Sequence, residues 1–145
     1  MNADRDLAHL IFNLRPILNP GRYAFVVLPA ETSLQQLPMV ACMRETEGMT
    51  VILDEAIAIA SALPIRFTAA WITLSVQSDL SAVGLTAAFS SALADAGISC
   101  NVVAGVFHDH LFVPVDQATQ AMLTLQALQQ ASLPSPTFHN PNTPS

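Results

Sequence analysis

Three adjacent residues, His108-Asp109-His110, are the densest cluster of proton-transferring and metal-ligating side chains in the chain. Imidazole binds metals and moves protons near neutral pH, but a zinc site needs further ligands at recognisable spacing, and none is present. A polar hairpin turn is the favoured account, and no metal is expected. Asp109, at a strand end, is better suited to pair with the amine or guanidinium group of a ligand. Glu45 and Glu47 bracket a second turn, Glu45-Thr46-Glu47-Gly48. Two carboxylates could do general acid–base work. A solvated hairpin tip explains them more simply, because Glu is seldom buried without a partner.

The strongest candidate for a binding site is Ser78-Asp79-Leu80-Ser81-Ala82-Val83-Gly84-Leu85, where a strand gives way to a helix. Free backbone N–H groups at a helix start attract carboxylates, and Gly84 lets a ligand or another backbone approach closely. Ordinary capping by Ser78 or Asp79 weighs equally. Asn101, on the adjacent strand, could add an amide hydrogen bond. Other chemistries lack their residues. There is no Gly-x-Ser-x-Gly elbow and no glycine-rich phosphate loop. There is also no Lys for Schiff-base formation. No cofactor is expected, and no catalysis.

The elements that must position these residues follow from patterning. The 145 residues are 52% hydrophobic and 11% charged, enough apolar surface for a continuous core. The net charge of −6, with five Arg, excludes the cationic footprint of a nucleic-acid binder and of a protein bound to an anionic membrane surface. No apolar run approaches the ~20 residues of a membrane span. The polar start, Met1 to Asp6, is unlike an export signal, so a cytoplasmic protein with buried free thiols at Cys42 and Cys100 is expected.

Leu7, Leu10, Ile11 and Leu14 recur at helical spacing until Pro16. Strands are expected at Tyr23–Leu28, Met39–Arg44, Met49–Leu53, Phe67–Val76, Ser99–Phe107 and Leu111–Val115. Helices are expected after Asp54, from Ser78 or Asp79 to Ala96, and after Asp116. Met39–Leu63 and Cys100–Leu128 both read strand, polar turn, strand, Asp, helix, which suggests a duplication. The predicted division is an N-terminal half at 1–65, a C-terminal domain at 66–130, and a Pro-rich disordered tail at 131–145. The second half runs β-α-β-β-α, the split βαβ order lacking its closing strand. That strand must come from the first half or from another chain.

At these residues the chain resembles the ACT domain family, and most closely its small bacterial aspartokinase-like tandem members. The resemblance rests on Ile72-Thr73-Leu74-Ser75-Val76, then Val83-Gly84-Leu85, then Leu93-Ala94-Asp95-Ala96-Gly97-Ile98, then Cys100-Asn101-Val102-Val103. Glu45-Thr46-Glu47-Gly48-Met49-Thr50 and His108-Asp109-His110-Leu111-Phe112-Val113-Pro114 add to it. It implies an α+β, ferredoxin-like (βαββαβ) fold: antiparallel sheets, helices on one face, two related halves. It further implies a non-catalytic regulatory module that binds an amino acid between ACT units and pairs as a homodimer. Under it, the loop Gln77, Ser78, Asp79 to Val83, Gly84, Leu85 holds the ligand's α-carboxylate and amine. Asp109 meets the ligand's side chain, and the strand around Thr50 and Val51 faces the same cleft. The chain departs from the pattern in having Val83 where Pro is usual and no clear helix between its first two strands. A structural domain acting through sheet-edge pairing ranks second, and a small enzyme built on His108-Asp109-His110 third.

Overall fold

β-Branched and aromatic runs separated by Gly and Pro build one antiparallel sheet. The computed structural model describes residues 3–76, 80–81 and 83–132. In chain order the elements are α1 (Ala3–Phe12), β1 (Pro16–Leu18), β2 (Tyr23–Leu28), β3 (Ala41–Arg44), β4 (Met49–Asp54), α2 (Glu55–Ala60), β5 (Ile65–Leu74), α3 (Leu85–Asp95), β6 (Asn101–Ala104), β7 (Asp109–Pro114) and α4 (Ala118–Ala131). A 3-10 turn, Val115–Gln117, leads into α4. Among the described residues the sheet has seven strands, in the order β3-β4-β2-β5-β7-β6, with β1 also paired to β5.

β5 is the spine. β2 pairs with its first half, up to Ala69, while β1 pairs with Ile72 to Leu74 and β7 with Ala69 to Leu74 on the other side. The same strand therefore closes one ferredoxin-like unit, β2-β3-β4-α2-β5, and opens a second, β5-α3-β6-β7-α4. The second unit's closing strand is β1, from the N-terminal segment of the same chain. Pro16, expected only to stop a helix, starts that strand. α1 follows β1 into the second unit: Leu7, Leu10, Ile11 and Leu14 pack with Phe89 and Leu93 of α3 and Leu125 of α4. The first unit has no helix between β2 and β3, and Leu34, Leu37 and Met39 of that connection cover its core instead.

Period-2 alternation sorts the strands into two faces. Ala24, Val26, Val51 and Leu53 face α2, while Ile72, Leu74, Leu111 and Val113 face α1, α3 and α4. The other face carries Tyr23, Phe25, Ile52, Phe67, Trp71 and Phe112. There Tyr23 meets Trp71 edge-on at 5.2 Å and Phe25 meets Phe112 edge-on at 5.5 Å between ring centroids, a favoured arrangement. The sheet curls around this aromatic face until its two edges, β3 and β6, stand opposite each other. Among the described residues no helix is long and apolar enough to cross a membrane.

Several local expectations shift. Asp54 caps α2 as expected, accepting from Ala56 N at 2.8 Å. Asp116 does not cap α4; it lies inside the 3-10 turn. α3 starts at Leu85, after Gly84, not near Ser78 or Asp79. β6 ends at Ala104 and β7 begins at Asp109, so Asp109 and His110 are strand residues rather than a turn. Cys42, expected to be buried, is exposed, whereas Cys100 is half-buried and burial pushes its thiol up to about 11. Of the tail, Ala131 ends α4 and Ser132 follows it; residues 133–145 lie outside the described residues.

Candidate functional site

The curl creates a cleft between the two edge strands. A cavity of about 330 Å³ lies there, lined by Phe25, Met43, Thr50 and Ile52 of the first unit and by Asn101 and Val103 of the second. The register explains the lining. Ala41 pairs with Ile52 and Met43 with Thr50, while Asn101 pairs with Phe112 and Val103 with His110, so all of these point to the aromatic face. A smaller hollow of about 60 Å³ adjoins through Ala41 and Val103, with Trp71 and His110 on its wall. The cleft thus has an aromatic floor, two edge strands as walls, and polar groups at a few points.

Those polar groups are partly committed. Thr50 Oγ1 donates to Glu45 Oε1. The Asn101 amide nitrogen donates to the Phe112 carbonyl at 3.4 Å, a long bond that leaves its Oδ1 free to accept. The Trp71 indole N–H donates to His110 Nδ1 at 3.0 Å. Thr73 Oγ1 stands 3.2 Å from the same nitrogen and accepts from Asn19 Nδ2 at 2.9 Å. Because indole can only donate, Nδ1 of neutral His110 is the acceptor and its proton sits on Nε2. Burial lowers the His110 pKa below its ordinary 6.5; His108 lowers it further and Asp109 opposes. The Nδ1 atom of His108 is buried without a hydrogen-bond partner.

The remaining sequence candidates stand elsewhere. Val51 is fully buried on the opposite face from Thr50, packed with Ala58. Asp109 pairs with Leu74, which puts it on the helix face at the end of β5, where the chain leaves for α3. Burial raises the Asp109 pKa above its ordinary 3.8, and His110 opposes the shift. Val83 is exposed and Leu85 is buried. Gly84 takes a left-handed conformation, φ +103°, as the cap of α3, and a Cβ there would stand 2.9 Å from Leu7 Cδ2. Leu7 of α1 therefore packs directly on the start of α3. Gln77, Ser78 and Asp79 lie outside the described residues.

Thr50 and Asn101 thus meet in one cavity; Asp109 stands on the helix face at the end of β5, Leu85 joins the core on that face, and Gly84 lies against Leu7. Sequence reasoning missed Phe25, Ile52, Met43 and Val103 as lining residues, because each reads as an ordinary strand hydrophobe. Glu45 and Glu47 are exposed, and of His108-Asp109-His110 only Asp109 and His110 lie in β7, on opposite faces of the sheet. Among the described residues no three His, Cys, Asp or Glu side chains gather as a metal-ligand set.

Comparison with known proteins places this architecture. Two models described as ACT domain match in tandem, over residues 2–70 and 66–127. A solved Vibrio cholerae protein of unknown function, described as a possible transport protein, is 38% identical; the match covers 89% of this chain and all of that one, with a TM-score of 0.80. An Agrobacterium tumefaciens protein is 17% identical over 80% of this chain and 89% of its own, TM-score 0.63. The ligand-free regulatory subunit of aspartate kinase from Thermus thermophilus shares the fold at 9% identity, over 78% of this chain and 95% of its own, TM-score 0.59. None of the curated proteins compared matches the chain in sequence. The tandem match supports a regulatory, small-molecule-binding role. With both units matched and their ferredoxin-like strand order in view, the chain belongs to the ACT domain family.

Proposed function

We propose that this protein is a non-catalytic regulatory module that binds an amino acid in the cleft between its two ACT units, and that it works in the cytoplasm as a homodimer. One observation carries the reading: Thr50 of the first unit and Asn101 of the second line the same cavity of about 330 Å³ between the sheet edges. Small-molecule sites are commonly of that size, mostly apolar, with a few placed polar groups. Phe25 and Ile52 supply the apolar area, Asn101 Oδ1 an acceptor, and the two edge strands unpaired backbone N–H and C=O groups.

A ligand in this position touches both edges at once, so binding acts on how they stand relative to each other. Only differential contact of that kind lets a ligand shift a conformational equilibrium. Beyond β6, Val106 and Phe107 are 70% and 75% exposed. Neighbouring apolar side chains in water favour an interface, which supports self-association next to the cleft. The same pair favours, as a second reading, a domain that only mediates protein contacts. Gln77, Ser78, Asp79, Val83, Gly84, Leu85 and Asp109 remain the alternative ligand contacts, supported by the Leu74–Asp109 register that sets the acid at the end of β5.

The test is a melting-temperature screen of the full chain against the twenty amino acids at millimolar concentration. A ligand at a hundred times its Kd adds about 2.7 kcal/mol of stability by mass action. At least one amino acid is expected to raise the melting temperature, and Asn101→Leu to abolish that rise. Unchanged melting with all twenty overturns the amino-acid reading; a dimer that persists alongside it supports the contact domain.

A further inference from the structure

A carboxylate is tied to the lining of the cleft. The alternation that turns Ala41 and Met43 towards the cavity carries on to Glu45, and Thr50, part of the cavity lining, donates its hydroxyl proton to the Glu45 carboxylate. Arg44, the neighbouring cation, takes the other face by the same alternation and lines a separate hollow with Glu31 and Met49. Among the described residues Glu45 has no ion-pair partner, and no charged side chain lines the cavity itself.

We infer that Glu45, oriented by Thr50, is the specificity-determining anchor for a protonated amine, so that the cleft selects ligands with a cationic nitrogen and an apolar body. The inference rests on the cleft reading above. The Thr50 hydroxyl fixes one carboxylate oxygen and leaves the other as a charged acceptor at the cavity mouth, where an ammonium makes a charge-assisted hydrogen bond. The apolar body then lies on Phe25 and Ile52. A carboxylate at the same place meets a like charge and is rejected, which is specificity by repulsion as well as attraction.

Titration of the single tryptophan's fluorescence in the full chain tests this, with six probes: leucine and phenylalanine, their deaminated counterparts 4-methylpentanoate and 3-phenylpropanoate, and their decarboxylated counterparts 3-methylbutylamine and 2-phenylethylamine. The wild-type protein is expected to bind at least one amine-bearing member of a series tenfold or more tightly than its deaminated acid. Glu45→Gln keeps an acceptor for Thr50 and is expected to erase that preference. A circular dichroism melt of the variant in each case establishes that it is folded. If the deaminated acids bind as tightly as the amines, or if Glu45→Gln retains the preference, the Glu45 assignment is overturned while the cleft reading stands. If none of the six binds but another compound from the amino-acid screen does, the assignment falls and the cleft reading again survives. If nothing binds at all, both fall together.

Discussion

The indole N–H of Trp71 donates to Nδ1 of His110 at 3.0 Å, joining β5 to β7 on the aromatic face of the sheet. The bond exists only while His110 is neutral. His108 and Asp109 are the titratable groups acting on it, and burial with His108 outweighs the pull of Asp109, leaving the His110 pKa below 6.5. The folded protein therefore holds this proton less tightly than the unfolded chain. The stability carried by neutral His110 is present above pH 6.5 and is lost as pH falls through the lowered value. Because Trp71 is the only tryptophan, its fluorescence is expected to change over that acid range in the wild type and to stay flat in His110→Gln, whose amide oxygen accepts without titrating. An identical transition in the variant would assign the change to another group.

Asp109 has the opposite sign. Burial raises its pKa above 3.8, so the folded protein holds this proton more tightly than the unfolded chain. Stability carried by the neutral carboxyl is present below the ordinary value and is lost as pH rises through the raised one. Asp109→Asn removes that loss. Urea denaturation from pH 3 to 7 is expected to show the variant gaining on the wild type as pH rises and at least equal to it at pH 7. A variant that weakens relative to the wild type with rising pH would mean the ionised carboxylate has a stabilising partner.

Gly84 combines positive φ with a side chain pressed against it. Ala at φ +103° is strained, at a cost of about 1–3 kcal/mol, and its methyl also meets Leu7. Gly84→Ala is expected to destabilise the protein, and by less when Leu7→Ala is already present, because the truncation removes the steric part and leaves the backbone part. The double-mutant cycle in urea reads this coupling. Strict additivity would show that α1 does not bear on the start of α3 in solution.

Much of this architecture was legible in the residues because local chemistry decided it. Tyr23–Leu28 and Met49–Asp54 are strands by side-chain type, and Asp54 stops one and caps α2 with its own carboxylate. The recognisable ACT pattern fixed the ferredoxin-like order. What escaped was decided by partners distant in sequence. Pro16-Ile17-Leu18 is too short to carry a pattern, and it is a strand because Thr73 and its neighbours offer a free ladder. α3 begins late because the left-handed backbone at Gly84 forms its cap, although Ser78 and Asp79 have the better capping side chains. The β6–β7 hairpin is phased by Ala104 standing opposite Asp109, which no residue type at the turn dictates. Asn101 was legible as a strand amide beside the expected helix start, and Thr50 came from the resemblance. Their company in the cleft, Phe25, Ile52 and Met43, depends on the curl of the whole sheet, which has no local signature.

The most direct test of ligand binding between the two units is an amide NMR titration of the full chain with the amino acid that gives the largest thermal shift. The expected result is that the amides of Met43, Thr50, Asn101 and Val103 move first and saturate together, because one ligand contacts both sheet edges. Saturable changes confined to Val83, Gly84, Leu85 and Asp109, with the two edge strands unmoved, would contradict the cleft and assign binding to the helix face.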